Sequence, residues 1–306
     1  METLFIAAAL VAGGLLALQA GANAQLAKAV GSPFGATTIQ LSVGTLLLVL
    51  VAALTGGLVA LAGLPQVPWW HAVGGTASAF YVISTILLFP RLGAVVSVGL
   101  FIAGQMLASL ALDGFGLLGV PMAGLKTSAL VGTFAVLSGA ALIVFGQKGG
   151  TDNLSTSKLG WIVLALLAGA VLPVQGGVNG LLRQDLGAPF AVGAVSFFVA
   201  TLAMAGGLLL AMAFRQPRPK LAGVLGMPWW GWLGGFSGAV YVTIVFTAIP
   251  VIGTAAAVGL TAAGQQIASV FVDRYGWFRL PQRPVSGLRL AGVGLLLAGV
   301  ATIKLV

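Results

Sequence analysis

The sequence has no cysteine, a single histidine and few charged residues. Because cysteine is absent, neither a disulfide framework nor a thiolate metal site can form. Charged residues make up only 6% of the 306 residues, while 59% are hydrophobic. A soluble domain carries about a quarter charged residues, so this chain cannot cover a water-facing surface. The scarcity of charge excludes a soluble domain and indicates a membrane protein.

Long apolar runs take the place of charge. Runs of about 20 residues, long enough to span the bilayer core, recur along the whole chain. We predict ten transmembrane helices, and glycine and serine dilute the third and the eighth. They begin near Leu4, Phe34, Trp70, Leu92, Ser128, Leu159, Phe190, Trp230, Ile252 and Leu288.

Polar residues recur in the same order in the two halves. "LQAGANAQLAKAVGSPFGA" from Leu18 matches "VQGGVNGLLRQDLGAPFAV" from Val174 at an offset of 156, and "PWWHAVGGTASAFYV" from Pro68 matches "PWWGWLGGFSGAVYV" from Pro228 at an offset of 160. Random apolar sequence does not reproduce matched Trp, Gln and Pro in order. We therefore predict two copies of a five-helix unit, residues 1–146 and 159–306, joined by a polar linker over residues 147–158.

The distribution of basic residues predicts that the second copy is inverted. Five is an odd number of helices, so the second copy must enter the membrane from the opposite side. All 14 basic residues except Lys126, Arg183 and Lys304 then fall on one side, which the positive-inside rule places in the cytoplasm, with both termini outside. The predicted fold class is an all-α membrane protein of ten transmembrane helices in two inverted five-helix repeats.

The net charge of +9 does not indicate nucleic-acid binding. The basic residues lie in short loops and form no cluster on one folded face, so we expect no nucleic-acid partner. The expected partners are membrane lipids and a small-molecule solute, and no cofactor is expected. Since both halves lie in one chain, we expect a monomer.

Repeated amides are the candidate site. A glutamine and an asparagine four residues apart share one helical face, and an amide that faces lipid costs free energy unless it is satisfied. We therefore expect these faces to point into the bundle and to line a central polar site. The candidate substrate-binding residues are Gln19, Asn23, Gln175, Asn179, Gln105 and Gln265, with Gly21, Gly177, Gly104 and Gly264 as hinge or packing positions.

Each of these residues also has a purely structural interpretation. Glutamine and asparagine in membrane helices often hold neighbouring helices together, and glycine lets helices approach closely. Asp113 and Asp273 end equivalent helices, where we expect helix-end and loop partners rather than proton carriers. Tyr81 and Tyr241 are interpreted as interfacial anchors, and the single histidine, His71, as an interfacial residue.

The motifs resemble those of a known family. "QAGANAQLAKAVGSP", "PWW…GG…YV" and "VGL-x-x-AGQ-x-x-AS" followed by Asp113 resemble the YdcZ-type inner-membrane exporters of the drug/metabolite transporter superfamily. That family's usual unit is one five-helix chain, and this chain resembles a fused form. The resemblance implies a multi-pass protein of the inner membrane that exports a solute.

A departure from the wider superfamily limits the mechanism. Small multidrug resistance transporters, which this chain distantly resembles, carry a glutamate in the first helix that exchanges protons against cations. The comparable positions here are Gln19 and Gln175, and neither can titrate. Proton antiport through a buried carboxylate is therefore not supported.

Two function classes remain open on this basis. The first is a secondary transporter or facilitator, in the export direction, of a small neutral or weakly polar organic solute. The second is a membrane scaffold or partner subunit that does not transport. An enzyme is not expected, because the sequence contains no nucleophile–base pair, metal cluster or phosphate-cradling motif.

Overall fold

A computed structural model describes residues 2–92, 94–120, 122, 124, 126–146, 159–214, 218–279, 282 and 286–305. The predicted linker, residues 147–158, lies outside these described residues, as do Arg215 and Arg283. The described part of the chain is helical and contains no strand. The all-α prediction is therefore confirmed for this part.

Ten helices of 18 residues or more lie in the described part. A helix begins within five residues of every predicted start, because apolar runs of bilayer length can satisfy their backbone only as helices. The ten helices are α1 (Glu2–Val30), α2 (Pro33–Leu54), α3 (Gly75–Leu92), α4 (Ala94–Phe115), α5 (Thr127–Phe145), α6 (Leu159–Leu186), α7 (Pro189–Ala213), α8 (Leu233–Ile252), α9 (Thr254–Tyr275) and α10 (Gly287–Leu305).

Eight of these helices are long and apolar enough to cross a membrane. The apolar parts of α5 and α10, Thr127–Ile143 and Gly287–Ile303, are shorter than the other candidate spans. The described residues therefore form an all-helical protein with eight candidate spans, and the count of ten spans stays a prediction.

Local sequence sets the starts of α2 and α7. Pro33 and Pro189 occupy the first turn of these helices, where the amide that proline lacks would have no helical partner. The Oγ of Ser32 accepts a hydrogen bond from the amide of Gly35 at 3.1 Å, which caps α2. Each half thus turns sharply from its first helix into its second.

Helices of one half pack mainly on helices of the other half. α1 packs on α8 and α9, and the equivalent α6 packs on α3 and α4. The equivalent helices α2 and α7 also contact each other, as do α5 and α10. The two halves therefore interlock.

The crossing of α5 and α10 is antiparallel. A methyl group at Gly132 would lie 2.6 Å from the carbonyl oxygen of Gly299, and one at Gly139 would lie 2.6 Å from that of Gly292. Residue numbers therefore rise along α5 as they fall along α10. Such short separations require glycine on both helices.

The helices α2 and α7 also cross in an antiparallel orientation. Gly44 faces the ring of Phe197, while Gly193, further back along α7, faces Leu48. The hydroxyls of Thr45 and Thr201 lie 3.0 Å apart, and these residues are equivalent at the offset of 156. A residue that contacts its own equivalent lies near the axis relating two copies, so this axis passes close to Thr45.

Candidate functional site

A small cavity lies between the two halves. Its volume is about 10 Å³, roughly the space that one water molecule needs. Its lining consists of Gln19 and five pairs of residues that are equivalent in the repeat. The pairs are Leu16 with Leu172, Leu41 with Phe197, Ser78 with Gly238, Tyr81 with Tyr241, and Val82 with Val242. The cavity therefore lies on the axis that relates the halves, and in this conformation it is closed to an organic solute.

The amides of the second half are hydrogen-bonded to serines. The Nε2 of Gln175 donates to the Oγ of Ser78 at 2.6 Å and approaches the Oγ of Ser196 at 3.4 Å. The Nδ2 of Asn179 donates to the same Ser196 Oγ at 3.0 Å. Gln175 and Asn179 are 3% and 1% exposed. These four side chains form one buried cluster that joins α6 to α3 and α7.

The equivalent amides of the first half lack such partners. Within the described residues, the Oε1 of Gln19, both amide atoms of Asn23, the Oε1 of Gln40 and the Oγ of Ser237 are buried without a hydrogen-bond partner. The Nε2 of Gln40 donates to the carbonyl oxygen of Gly234 at 3.1 Å. A buried polar atom without a partner costs about 1–3 kcal/mol, so this cluster is the less satisfied of the two.

Two substitutions between the halves explain this difference. Gly238 occupies the position equivalent to Ser78, so Gln19 has no hydroxyl where Gln175 has one. Gln40 occupies the position equivalent to Ser196 and uses its amide nitrogen on Gly234. The repeated glutamines therefore have different environments, which the repeat alone does not predict.

The second pair of predicted glutamines also differs between the halves. The Nε2 of Gln265 donates to the hydroxyl of Tyr81 at 3.1 Å and so joins α9 to α3. The Nε2 of Gln105 has no hydrogen-bond partner within the part of the chain that the structure describes. The same holds for both amide atoms of Gln266, which follows Gln265 in the sequence. Of the six predicted site residues, Gln19 lines the cavity, whereas the other five lie outside its lining.

The predicted glycines permit close helix contacts. A methyl group at Gly104 would overlap the carbonyl oxygen of Leu166, and one at Gly264 would overlap that of Leu10. These are equivalent contacts in the repeat. Both α4 and α9 continue as helices through the glycines, so these positions serve close packing.

Gly21 and Gly177 pack against residues that have a left-handed backbone conformation. A methyl group at Gly21 would overlap the ring of Phe278, and one at Gly177 would lie 3.1 Å from the Cβ of Leu118. Phe278 and Leu118 are equivalent and have φ of 58° and 55°, values that non-glycine residues rarely adopt. α1 and α6 are continuous here, so of the two expected roles, hinge or packing, this conformation shows close packing at these glycines.

The prediction about the two equivalent tyrosines is wrong. Tyr81 and Tyr241, interpreted from the sequence as interfacial anchors, are each 4% exposed and line the central cavity. His71 has a nearby carboxylate that sequence reasoning missed, since its Nδ1 lies 2.5 Å from the Oδ2 of Asp185. The two residues are 114 positions apart, and no local motif indicates the contact.

Comparison with known proteins gives the family. The model of a family described as "Putative inner membrane exporter, YdcZ" matches residues 4–142 and again residues 160–302. The chain belongs to the YdcZ family. The two matched segments lie within the predicted repeats 1–146 and 159–306.

The similar proteins include a bacterial relative and a solved crystal structure. The chain is 31% identical over 81 residues to the inner membrane protein YdcZ of Escherichia coli (strain K12). This match covers 26% of the chain and spans about half (49%) of that relative. A solved crystal structure superposes with a TM-score of 0.71 at 18% identity, covering 99% of this chain and 96% of that chain, and this likeness concerns the fold.

The helix-end aspartates of this YdcZ-family chain have unlike partners. Asp113 accepts hydrogen bonds from the amides of Thr254 and Ala255 at the start of α9, at 3.1 and 2.6 Å. Asp273 pairs with the Nη2 of Arg289 at 2.6 Å. The prediction of helix-end partners is confirmed, although the cation that pairs with Asp273 lies on α10. In the described residues, no group of three His, Asp or Glu side chains could hold a metal ion.

Proposed function

We propose that the chain is a secondary transporter or facilitator that exports a small neutral or weakly polar organic solute across the inner membrane. In this proposal the ten helices form two inverted five-helix repeats, and the central site opens alternately to the two sides. The family description, an inner membrane exporter, supports the general function. The solute class rests on the few polar groups of a mainly apolar lining, which are the amide of Gln19, the hydroxyl of Ser78 and the phenols of Tyr81 and Tyr241.

The closed cavity on the shared axis is the observation that carries the proposal. Exchange of the conformations of two inverted halves closes one access path and opens the other around a fixed site. A site that serves both paths equally must lie on the axis, and equivalent residues of both halves line this cavity. The antiparallel crossings of α2 with α7 and of α5 with α10 support the inverted relation.

The unpaired polar atoms around Gln19 support a bound solute. The Oε1 of Gln19 and the Oγ of Ser237 can accept hydrogen bonds, and the Nδ2 of Asn23 can donate them. A neutral solute with a hydrogen-bond donor would satisfy the Oε1 of Gln19 in the cavity, and would reach Asn23 and Ser237, which lie outside the lining, only when the site opens. The site holds no titratable carboxylate beside Gln19 among its lining residues, so the proposal needs no proton exchange at this position.

The scaffold alternative is favoured by one specific observation. The cavity has space for about one water molecule, as expected if the two halves only pack against each other. The two functions differ in whether the cavity ever opens, because a scaffold needs no second conformation.

Metabolite profiling followed by liposome transport tests the proposal. Cells with and without the protein are profiled, and each solute that accumulates in cells without it is assayed for uptake into liposomes containing the purified chain. We expect Gln19→Leu to reduce uptake at least tenfold and the control Gln25→Leu, on the same helix but outside the cavity lining, to leave it unchanged. An unaltered metabolite profile, or equal uptake by Gln19→Leu and the unmodified chain, would support the scaffold instead.

A further inference from the structure

A cleft lies beside Asp113 in the first half, and an arginine fills the equivalent position in the second half. The equivalent of Asp113 is Asp273, and the equivalent of Ala129 is Arg289, both at the offset of 160. The guanidinium of Arg289 donates to Asp273 at 2.6 Å, and Arg289 is 1% exposed. In the second half, a guanidinium supplied by the chain itself therefore occupies the position next to the carboxylate.

The first half leaves this position open. Ala129 is too short to reach the carboxylate, and a cleft of about 400 Å³ lies there, lined by Asp113, Ala129 and Ser128. Clefts that bind small molecules have volumes of about 300–1,000 Å³. Most of the remaining lining is apolar, including Leu110 and Ile252.

The carboxylate of Asp113 keeps capacity for a further donor. Each of its oxygens accepts one backbone amide, from Thr254 and Ala255, whereas a carboxylate can accept about four hydrogen bonds. These two bonds fix the carboxylate at the wall of the cleft. A guanidinium or ammonium group would add a charge-assisted hydrogen bond of the kind that Arg289 makes.

We infer that the Asp113 cleft binds an organic cation that has one guanidinium or primary ammonium group on an apolar body. The charged group takes the place that Arg289 fills in the second half, and the body lies against the apolar lining. The site is separate from the central cavity, so the inference goes beyond the proposed transport function and does not depend on it.

Lys126 is the resident group that competes with such a ligand. Its side chain also lines the cleft, but the described residues contain no ion pair between Lys126 and Asp113 within 4.0 Å. A cation that enters the cleft must displace or tolerate this ammonium group. Removal of the Lys126 charge is therefore expected to strengthen binding.

Equilibrium dialysis of the purified full chain tests the inference. The probe is radiolabelled n-butylguanidinium, and the neutral control of the same shape is n-butylurea. We expect saturable binding of the cation at one site per chain, at least tenfold weaker binding in Asp113→Asn, and tighter binding in Lys126→Gln. The urea should bind at least tenfold more weakly than the cation.

The repeat supplies two further variants. Ala129→Arg should abolish binding, because it places the arginine of the second half in the cleft, whereas Arg289→Ala should raise the number of sites from one to two. Should Ala129→Arg fail to fold, Ala129→Gln fills the cleft without charge and should also weaken binding. Equal binding by Asp113→Asn and the unmodified chain, equal binding of the urea, or absence of saturable binding in both the unmodified chain and Lys126→Gln would overturn the inference.

A lipid headgroup and a free solute can both supply an ammonium group. The titration is therefore repeated in nanodiscs of phosphatidylcholine and in nanodiscs that also contain phosphatidylethanolamine. Weaker apparent binding of the cation in nanodiscs with phosphatidylethanolamine assigns the cleft to the lipid headgroup. Equal binding in the two kinds of nanodisc assigns the cleft to a free cation, and both results support the site. Failure of every arm would leave the central cavity and its transport test unaffected.

Discussion

At the residue scale, Gln19 and Gln175 hold equivalent positions but have different neighbours. Gln175 donates to Ser78 and lies near Ser196, whereas the Oε1 of Gln19 has no partner in the described part of the chain. A satisfied buried amide stabilises the fold, while an unsatisfied one costs free energy. Gln175 therefore contributes mainly to helix packing, whereas Gln19 keeps the unpaired acceptor that the proposed solute site requires.

The different environments of Gln19 and Gln175 predict that replacement by leucine affects stability differently at the two positions. Gln175→Leu should lower the free energy of unfolding by about 1–2 kcal/mol, because Ser78 and Ser196 lose a hydrogen-bond partner. Gln19→Leu should leave stability unchanged or raise it slightly, because it removes an unpaired acceptor. Thermal unfolding of both variants in the same detergent checks the order. Equal destabilisation by the two variants would show that Gln19 has a partner that stabilises the fold.

The sequence predicted the types of residue at the site better than their contacts. The repeated amides were identifiable because polar side chains stand out in apolar helices, and all six are buried. The burial of Tyr81 and the pairing of His71 with Asp185 were not identifiable, because both depend on contacts between helices distant in the chain. The inequality of Gln19 and Gln175 depends on a third helix, where Gly238 replaces a serine.

At the element scale, glycines set how closely helices of the two halves approach. A methyl group at Gly13 would overlap the carbonyl oxygen of Thr261, and one at the equivalent Gly169 would overlap that of Phe101. The adjacent Gly14 differs, because the nearest atom to a methyl group there is the Cβ of Ala268 at 3.7 Å. Two neighbouring glycines on α1 therefore have different structural importance.

Alanine substitutions separate these two glycines. Gly13→Ala should destabilise the protein by about 1–3 kcal/mol, the usual cost of overpacking a core, because a backbone carbonyl cannot move aside alone. Gly14→Ala should be neutral or stabilising by up to about 1 kcal/mol, because alanine favours a helix over glycine. Unfolding temperatures in detergent and the yield of monodisperse protein measure the difference. A greater loss in Gly14→Ala than in Gly13→Ala would contradict the packing of α1 on α9.

The positions of the helices, but not their pairings, followed from the sequence. Bilayer thickness and backbone hydrogen bonding force an apolar run into a helix whatever its neighbours are, so the starts were predictable. The pairing of α1 with α8 and α9 depends on small residues that face each other, and 46 glycines offer many such faces. The basic residues in the loops restrict how the helices are oriented in the membrane, but they do not determine which helices are in contact.

At the scale of the whole molecule, an inverted repeat brings opposite ends of equivalent helices together. A methyl group at Gly146, at the end of α5, would lie 3.1 Å from the Cβ of Leu288, at the start of α10. Leu288 is equivalent to Ser128, near the start of α5. Inverted halves therefore bring Gly146 to Leu288, while halves in the same orientation would bring Ser128 towards it.

Cross-linking distinguishes these arrangements in a chain that has no native cysteine. The pair Gly146→Cys and Leu288→Cys should form a disulfide on mild oxidation in membranes. The control pair Ser128→Cys and Leu288→Cys should not, because the two residues lie at opposite ends of the antiparallel pair. A protease site inserted in the linker provides the readout, since a disulfide keeps the fragments together on a gel. A cross-link in the control pair alone would refute the inverted arrangement.

Membrane orientation is predicted from the basic residues. A reporter that is active only outside the cytoplasm should be active when it is fused at Val306. Neutralising the basic residues of two loops should lower the fraction of chains in this orientation. These residues are Arg215, Arg218 and Lys220 together with Arg279 and Arg283. The amide of Lys220 donates to the carbonyl oxygen of Val30 at 2.8 Å, a backbone contact that these substitutions keep. Labelling of a cysteine introduced into this loop measures the orientation. An unchanged orientation would show that the linker or the first half sets the topology.

Alternating access is the central claim, and cysteine labelling of the cavity tests it without knowledge of the solute. Val82→Cys and Val242→Cys place a thiol in the closed cavity, Ala12→Cys is a control buried away from the cavity lining, and Gln66→Cys is an exposed control outside the candidate membrane spans. A membrane-impermeant methanethiosulfonate reagent is applied to right-side-out and to inside-out vesicles.

We expect both cavity cysteines to react from each side, more slowly than Gln66→Cys reacts from the one side that it faces, while Ala12→Cys does not react. Transient opening to each side in turn is the physical reason, since the closed cavity holds about one water molecule. If neither cavity cysteine reacts from either side in protein that is folded and inserted, the central site does not open and the transport account is wrong.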